Sequence, residues 1–499
     1  MASEQFRRQL RREAEQWRID GLIDPEQYEK LAAQYEFESL ETGARDRFVV
    51  ILLGLGCILL GLGVITFVAA NWQAIPRMGK MALLFSLFIA TNTAGFYLWR
   101  RPKSNGRERW QHRLGHGLLL LGALVLGANL ALAGQLFHRG GAFYELFLLW
   151  GLGVVVMALG LRLRSLALLA ILLMGVGYWS GRVEPFLSQM LGGLSGDLLN
   201  LPALLNLMPL VAGGLFTLLA YQCRSKVIFA LGAIATVSSL WVALIDASGL
   251  SRSSDSGYLI AICCTLPPAL LWSYDDALWW RLRNAPLPSV RPFRPVAQAL
   301  ALVFLTVTCY GFSFRRAWMS YEQPNLAEVP PVESSTLIDI GNLLLNPNVF
   351  VYTALTLMGW FYLAYPRHRG QRWGLAQHDA MMLIFLLTMG LTLFWNWDVA
   401  EIAVIAIYLF NLLLFLLSAA FIRQGLARSS RSQFWLGMVT LVLQIMSRML
   451  EYETGLLLKS AVFALCGLGV LLVGLWFERH VRTLAPTPML TPASQEETV

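Results

Sequence analysis

The stretch MALLFSLFIATNTAGFYLWRRPKSNGRERWQHRLGHGLLLLGALVLGANLALAGQ, Met81–Gln135, sets two apolar runs on either side of a connection carrying six Lys and Arg. Each run is close to the roughly 20 helical residues needed to cross a hydrocarbon core of about 30 Å. Inside lipid every backbone N–H and C=O must be satisfied within the spanning element, which selects helices. A transmembrane barrel would instead show short alternating segments. The same alternation of apolar run and connection continues along the chain. Fourteen runs can be drawn, at 48–70, 79–99, 114–135, 142–161, 165–180, 204–221, 225–246, 257–274, 296–314, 348–365, 377–395, 399–421, 433–450 and 457–477. The fifth is short, and the thirteenth, with Gln444 and Arg448, is the least apolar.

The placement of cations orients these runs. With the N-terminus inside, 30 of the 39 Lys and Arg fall in the first segment and every second connection, and 9 fall in the others. Cytoplasmic loops carry an excess of Lys and Arg. A missed or invented span would invert half of this pattern. The expectation is an all-α polytopic protein of the bacterial inner membrane with both termini cytoplasmic. Composition agrees: 499 residues, 56% hydrophobic and 14% charged, with a mean hydropathy of +0.56. The net charge of +8 sits in short loops beside spans, so it reads as a topology signal and not as a nucleic-acid surface.

Residues 1–47 read as a cytosolic helical hairpin. Phe6, Leu10, Ala14 and Trp17 share one helical face, and Gly21 ends that helix. Asp24-Pro25-Glu26-Gln27 opens the next, with Asp24 as N-cap, Pro25 in the first helical position and Gln27 placed to close a capping box. Tyr28, Leu31 and Tyr35 give it an apolar face. The polar first segment lacks a cleavable-signal pattern, so the run at 48–70 is expected to act as its own insertion signal. Two outer connections are long. Gly181–Ala203 is apolar but interrupted by glycines, which suggests a re-entrant or interfacial piece, and Arg315–Pro347 reads as an irregular excursion with one short helix. Trp279-Trp280 beside Arg281 and Arg283 is an interfacial-belt signature. The Pro/Thr/Ser-rich residues 485–499 read as a disordered tail. An internal echo links 48–161 with 377–477, through Asn71-Trp72 against Asn396-Trp397 and Gly151-Leu-Gly153 against Gly467-Leu-Gly469. These are candidate four-helix repeats.

Enzyme signatures are lacking: there is no phosphate-binding loop, no HExxH and no CxxC, and Gly193-Leu-Ser195-Gly196 lacks the outer glycine of a nucleophile elbow. None of the six cysteines has metal-ligand spacing or a partner in an outer loop, and the six histidines are scattered, most at run ends, so no metal site, disulfide, cofactor or catalytic residue is expected. Polar residues do recur at one depth, the outer ends of the runs. They are Asn71, Trp72, Asn129, Gln135, Glu145, Asp398, Glu401, Arg448 and Glu451. Ionisable groups at membrane depth are costly and usually face a protein interior or a wet cavity. These nine form the candidate substrate- or ion-binding set, with Glu145 and Glu401 roughly a turn inside the apolar boundary and Arg448 an available counter-charge. The plain alternative is that they are helix-end residues at headgroup level. Asn92 and Asn411, mid-run, fit interhelical hydrogen bonds.

Several stretches resemble a bacterial predicted-membrane-protein family, domain of unknown function 2157. They are Trp17-Arg-Ile-Asp-Gly-Leu-Ile-Asp-Pro-Glu-Gln, Phe67-Val-Ala-Ala-Asn-Trp-Gln73, Gly127-Ala-Asn-Leu-Ala-Leu-Ala-Gly-Gln135 and Arg448-Met-Leu-Glu-Tyr-Glu-Thr-Gly455. The resemblance is strongest over about the first 160 residues. It implies a polytopic inner-membrane protein and no agreed activity. It draws attention to Asn71, Trp72, Asn129 and Gln135.

Three functions fit this reading. One is a transporter or lipid-handling protein with an outer-facing polar cavity. Another is a non-catalytic scaffold or sensor that recruits a cytosolic partner through residues 1–40. The third is a membrane enzyme acting on a lipid-linked substrate. The expected partners are the lipid bilayer and that cytosolic protein, with no nucleic acid. A homo-oligomer is compatible with the layout.

Overall fold

The computed structural model describes residues 4–35, 59, 75–100, 106–136, 143–191, 202–247, 257–276, 293–318, 343, 345–365, 374–427, 430–452 and 455–484. Regular structure among the described residues is helical. The run at 48–70, Asn71, Trp72, Trp279-Trp280, most of 315–347 and the tail lie outside them. The chain divides into two compact units, 1–90 and 91–499.

In the first unit, α1 (Glu4–Ile19) and α2 (Pro25–Gln34) close on Ala14, with Leu10, Trp17, Ile23, Tyr28, Ala32 and Tyr35 around it. Gly21, at φ +72°, makes the turn between them. The Asp24 N–H donates to Gln27 Oε1 at 3.1 Å, as the capping box predicts. Helix α3 (Arg77–Arg100) starts in this unit.

The second unit continues with α4 (Gly106–Leu136), α5 (Phe143–Leu161), α6 (Arg164–Leu191), α7 (Pro202–Asn206), α8 (Met208–Cys223), α9 (Lys226–Ala247), α10 (Gly257–Ser273), α11 (Arg294–Phe312), a 3-10 turn (Arg315–Trp318), α12 (Pro347–Ala364), α13 (Gln377–Asp398), α14 (Ala403–Ala427), α15 (Arg431–Glu451) and α16 (Leu456–Leu484). From 79–99 onward, each apolar run of the sequence coincides with one helix. Among the described residues ten helices are long and apolar enough to cross a membrane, and α8 and α10 are shorter apolar helices. Helix α13 shows the expected two-sided pattern. Asp379, Met382, Leu386, Met389, Leu393 and Asn396 are buried at helical spacing, while Met381, Ile384, Leu387 and Leu391 are about 60% exposed on the other stripe. An apolar stripe facing outward is what lipid requires.

Three sequence expectations change. The fifth run is not short: α6 continues through Gly181 to Leu191, because helical Gly181 packs against Leu205 and Tyr144 and does not break the chain. The segment 181–203 therefore begins as helix and resumes as α7. The twelfth run starts at Ala403, since Val399 and Ala400 both donate backbone N–H to the Trp395 carbonyl and Asn396 Oδ1 accepts from Ile402 N–H at 3.0 Å, which forms the turn. The repeated Gly-Leu-Gly is used differently in its two places. Gly151 and Gly153 lie against Met174 and Leu126, whereas Gly467 and Gly469 face open space among the described residues.

Contacts between connections sort into two levels. At the level assigned to the cytoplasm, Arg164 Nε donates to the Cys223 carbonyl at 3.2 Å and Nη2 to the Arg224 carbonyl at 3.4 Å. A guanidinium there caps orphan carbonyls at the C-terminus of α8, where the helix dipole favours a cation. At the level assigned to the outside, Arg182 pairs with Asp246, Asn348 Nδ2 donates to the Asn206 carbonyl at 2.7 Å, and Asp398 accepts from Gly257 and Tyr258 N–H. Arg164 and Arg182 are 18 residues apart on one helix, about 27 Å at 1.5 Å per residue. That span matches a hydrocarbon core.

Candidate functional site

A cavity of about 350 Å³ lies between α8, α9, α10 and α12. It runs from Leu210 and Tyr352 past Gly214, Thr217 and Thr236 to Ser273, Tyr274 and Asp275. Its walls are almost wholly apolar. Gly214, Leu355 and Met358 on its rim are exposed, so it opens on the outer surface of the helix bundle. The two glycines of α8 have different duties. A Cβ on Gly213 would strike the Tyr352 hydroxyl, which is committed to the Pro209 carbonyl at 2.6 Å. A Cβ on Gly214 would meet nothing within 4 Å, because the cavity is there.

The inner end of the cavity is polar and tightly bonded. Asp275 and Asp276 follow directly on α10 and are both fully buried. Asp275 pairs with Arg294 Nη1 at 3.3 Å. Asp276 accepts from the backbone N–H of Phe293 at 3.2 Å and of Arg294 at 3.1 Å, and so caps α11 from another helix. Tyr221 donates to Asp276 at 2.5 Å. Its proton is thereby spent, so the 2.7 Å contact with Tyr274 has Tyr274 as donor. Close by on α10 and α13, Trp272 Nε1 donates to buried Asp379 at 3.0 Å, and His378 Nε2 lies 3.4 Å from the same oxygen. Gly359 lets α12 approach Ser273 closely.

Helix α10 is the axis of this arrangement. It packs on α9, α11, α12 and α13. Pro267 and Pro268 inside it supply no N–H, which leaves the Cys263 and Cys264 carbonyls without their usual donors. Its N-terminus is held instead by Asp398, at 3.1 Å from Gly257 N and 2.7 Å from Tyr258 N.

The outer-level residues separate into several groups. Arg448 contacts Glu451, donates to the Ser313 carbonyl at 2.5 Å, and stacks 4.1 Å from the Phe314 ring centroid. Glu451 also accepts from Arg315 N–H at 2.7 Å. Neither Glu145 nor Glu401 is among the partners of Arg448. Arg448 Nε and Nη2, the edge that takes a carboxylate or phosphate side-on, are buried without a hydrogen-bond partner, as is Gln444 Oε1 one turn earlier. Glu145 is 3% exposed on α5, which packs against α4, α6 and α8. Glu401 is exposed in the turn before α14 and not inside a helix. Asp398 is occupied in capping α10. Asn129 Nδ2 bonds its own helix at the Val125 carbonyl, 2.9 Å away, and Gln135 is exposed. Asn411 does bridge helices: its Nδ2 donates to the Ser313 carbonyl at 3.2 Å, and Gln444 Nε2 donates to the Asn411 backbone carbonyl at 2.8 Å.

A family model described as "Predicted membrane protein (DUF2157)" matches residues 15–167. Over residues 15–167, under a third of its length, the chain is similar to that family. No curated protein and no solved structure matches the chain. The DUF2157 match begins in α1 and ends in α6, so the cavity lies wholly C-terminal to it. Within the DUF2157 region, Gly127 sits under the Trp150 ring, and Trp150 Nε1 donates to the Ala123 carbonyl at 2.7 Å. The glycine of that motif thus serves helix packing.

Sequence reading missed Asp275, Asp276, Asp379, Tyr221 and Tyr274. The available signal was three aspartates flanking apolar runs on the side rich in cations, where charged residues pass as ordinary loop residues.

Proposed function

We propose that this DUF2157-containing membrane protein of the bacterial inner membrane binds a lipid-like amphipath in the cavity of α8, α9, α10 and α12. Its function would be handling or movement of that molecule. The observation that carries this reading is an apolar cavity of about 350 Å³ with exposed Gly214, Leu355 and Met358 on its rim and a polar end at Ser273–Asp275. Apolar pockets with few convergent polar groups are the usual form of small-molecule sites. An acyl chain fits the walls, and a hydroxyl or amide fits the Ser273–Tyr274 end, whose carboxylates are already engaged. The outer-level set of Asn71, Trp72, Asn129, Gln135, Glu145, Asp398, Glu401, Arg448 and Glu451 lines no part of this cavity and is kept as a separate proposal, a polar contact for a substrate or ion at the other level. Arg448 is the member with an unspent donor edge. In this orientation both termini are cytoplasmic.

The test is photolabelling in nanodiscs with a diazirine-bearing fatty acid and a diazirine-bearing phospholipid. Labelled peptides should come from α8 and α12, and Gly214→Leu, which fills the cavity, should cut their labelling at least fivefold. Uniform labelling of all lipid-facing helices, unchanged in Gly214→Leu, would reject the cavity as a site.

A second reading has its own observation. Ile19 and Leu22, at the tip of the α1–α2 hairpin, are 79% and 71% exposed. They suit a cytosolic partner, and crosslinking from position 22 should then capture one discrete protein; labelling of lipid alone would discard this reading.

A further inference from the structure

His112 and His116 stand four residues apart near the start of α4, so their side chains leave the same face. Their Nε2 atoms face each other at 3.2 Å, with ring centroids 4.7 Å apart and planes at 74°. His112 Nδ1 lies 2.9 Å from the carbonyl oxygen of Trp99, at the end of α3. A carbonyl only accepts, so His112 carries its proton on Nδ1 and presents the Nε2 lone pair to its neighbour. The proton between the rings therefore belongs to His116.

This is the arrangement of a metal-binding imidazole, whose second nitrogen donates to a backbone carbonyl that fixes tautomer and ring orientation. With metal–nitrogen bonds of roughly 2.0–2.1 Å, two nitrogens 3.2 Å apart subtend about 103° at the ion. That is close to tetrahedral. We propose that His112 and His116 form a two-imidazole site for a divalent transition-metal ion of the zinc or copper class. Imidazole nitrogen suits these ions, while hard cations prefer oxygen. On binding, His116 gives up its Nε2 proton and both Nε2 lone pairs turn to the metal, as metal ligation by neutral imidazole requires. Among the described residues no group of three or more His, Cys, Asp or Glu is placed to hold a metal. Bound metal would clamp the first turns of α4 beside the end of α3, through the hydrogen bond to Trp99. The site is independent of the cavity.

The experiment uses the full chain in nanodiscs, with Cu²⁺ as the spectroscopic probe and Zn²⁺ as competitor. The expected result is one Cu²⁺ per chain, whose paramagnetic resonance spectrum shows two imidazole nitrogens and which Zn²⁺ displaces. His112→Gln and His116→Gln should each weaken binding at least tenfold and reduce the nitrogen count. His368→Gln, at a histidine far from the pair in sequence, should leave both unchanged. Fewer than two imidazole nitrogens in the unsubstituted protein overturns the proposal whatever the variants do. So does an affinity that His116→Gln leaves intact. Either outcome would make the pair a hydrogen bond between helix residues and nothing more.

Discussion

Two neighbouring glycines give opposite predictions. Gly213 lies beneath the Tyr352 hydroxyl, and that hydroxyl cannot retreat without losing the Pro209 carbonyl. Gly213→Ala should lower stability by about 1–3 kcal/mol, the usual range for overpacking, even though alanine favours helix. Gly214 faces the cavity, so Gly214→Ala should be neutral or gain up to about 1 kcal/mol from helix propensity. Thermal unfolding of both variants in one detergent measures the order. Neither duty could be read from the sequence, where Gly-Gly in an apolar run signals only close packing. Asp276 is a second residue whose role only the structure reveals. It answers two backbone N–H groups and a tyrosine from full burial. Asp276→Ala should cost about 2–4 kcal/mol, because buried donors are left unpaired. Asp276→Asn should lose less, since its amide oxygen still accepts. Equal losses would mean that the cap is not what Asp276 provides.

Among the elements, the helices were far more legible than their ends. Apolar runs of about 20 residues located every helix from α3 to α16 apart from the short α7, because lipid imposes length and composition at once. The ends were harder. Helix α6 outruns its apolar stretch, and α14 begins four residues late because Asn396 and the Trp395 carbonyl shape a turn. Local side-chain bonds of this kind leave no periodic trace. Helix α10 depends on such a bond: it contains two prolines and is capped by Asp398 of α13. Asp398→Ala should lower stability by about 1–2 kcal/mol, and Asp398→Asn should retain part of it, because asparagine also caps. The α14–α15 hairpin should be still more sensitive. A Cβ at Gly425 would lie 2.5 Å from Phe434 N and 2.7 Å from its Cα, and backbone cannot step aside. Gly425→Ala should separate the pair and expose Phe434, which is fully buried now. Faster proteolysis between α14 and α15 would report the change.

For the whole molecule, the charge pattern predicts which connections share a level, and the described contacts join connections of the same predicted level. Arg164 meets the 223–224 turn, while Arg182 meets Asp246. The candidate site was less legible. The sequence pointed to polar residues at the outer level, yet Asp398 and Glu451 there make structural bonds, and the cavity is apolar and reaches toward the opposite level. An apolar cavity is lined by the same residues as an apolar interface, so composition does not distinguish the two.

The arrangement in two levels can be measured directly with single cysteines at Arg162 and Glu401, both exposed in connections, and a membrane-impermeant maleimide on intact spheroplasts. Glu401→Cys should label at once, and Arg162→Cys only after permeabilisation. Labelling of both from the outside would contradict the fold, and labelling of Arg162→Cys alone would contradict its orientation.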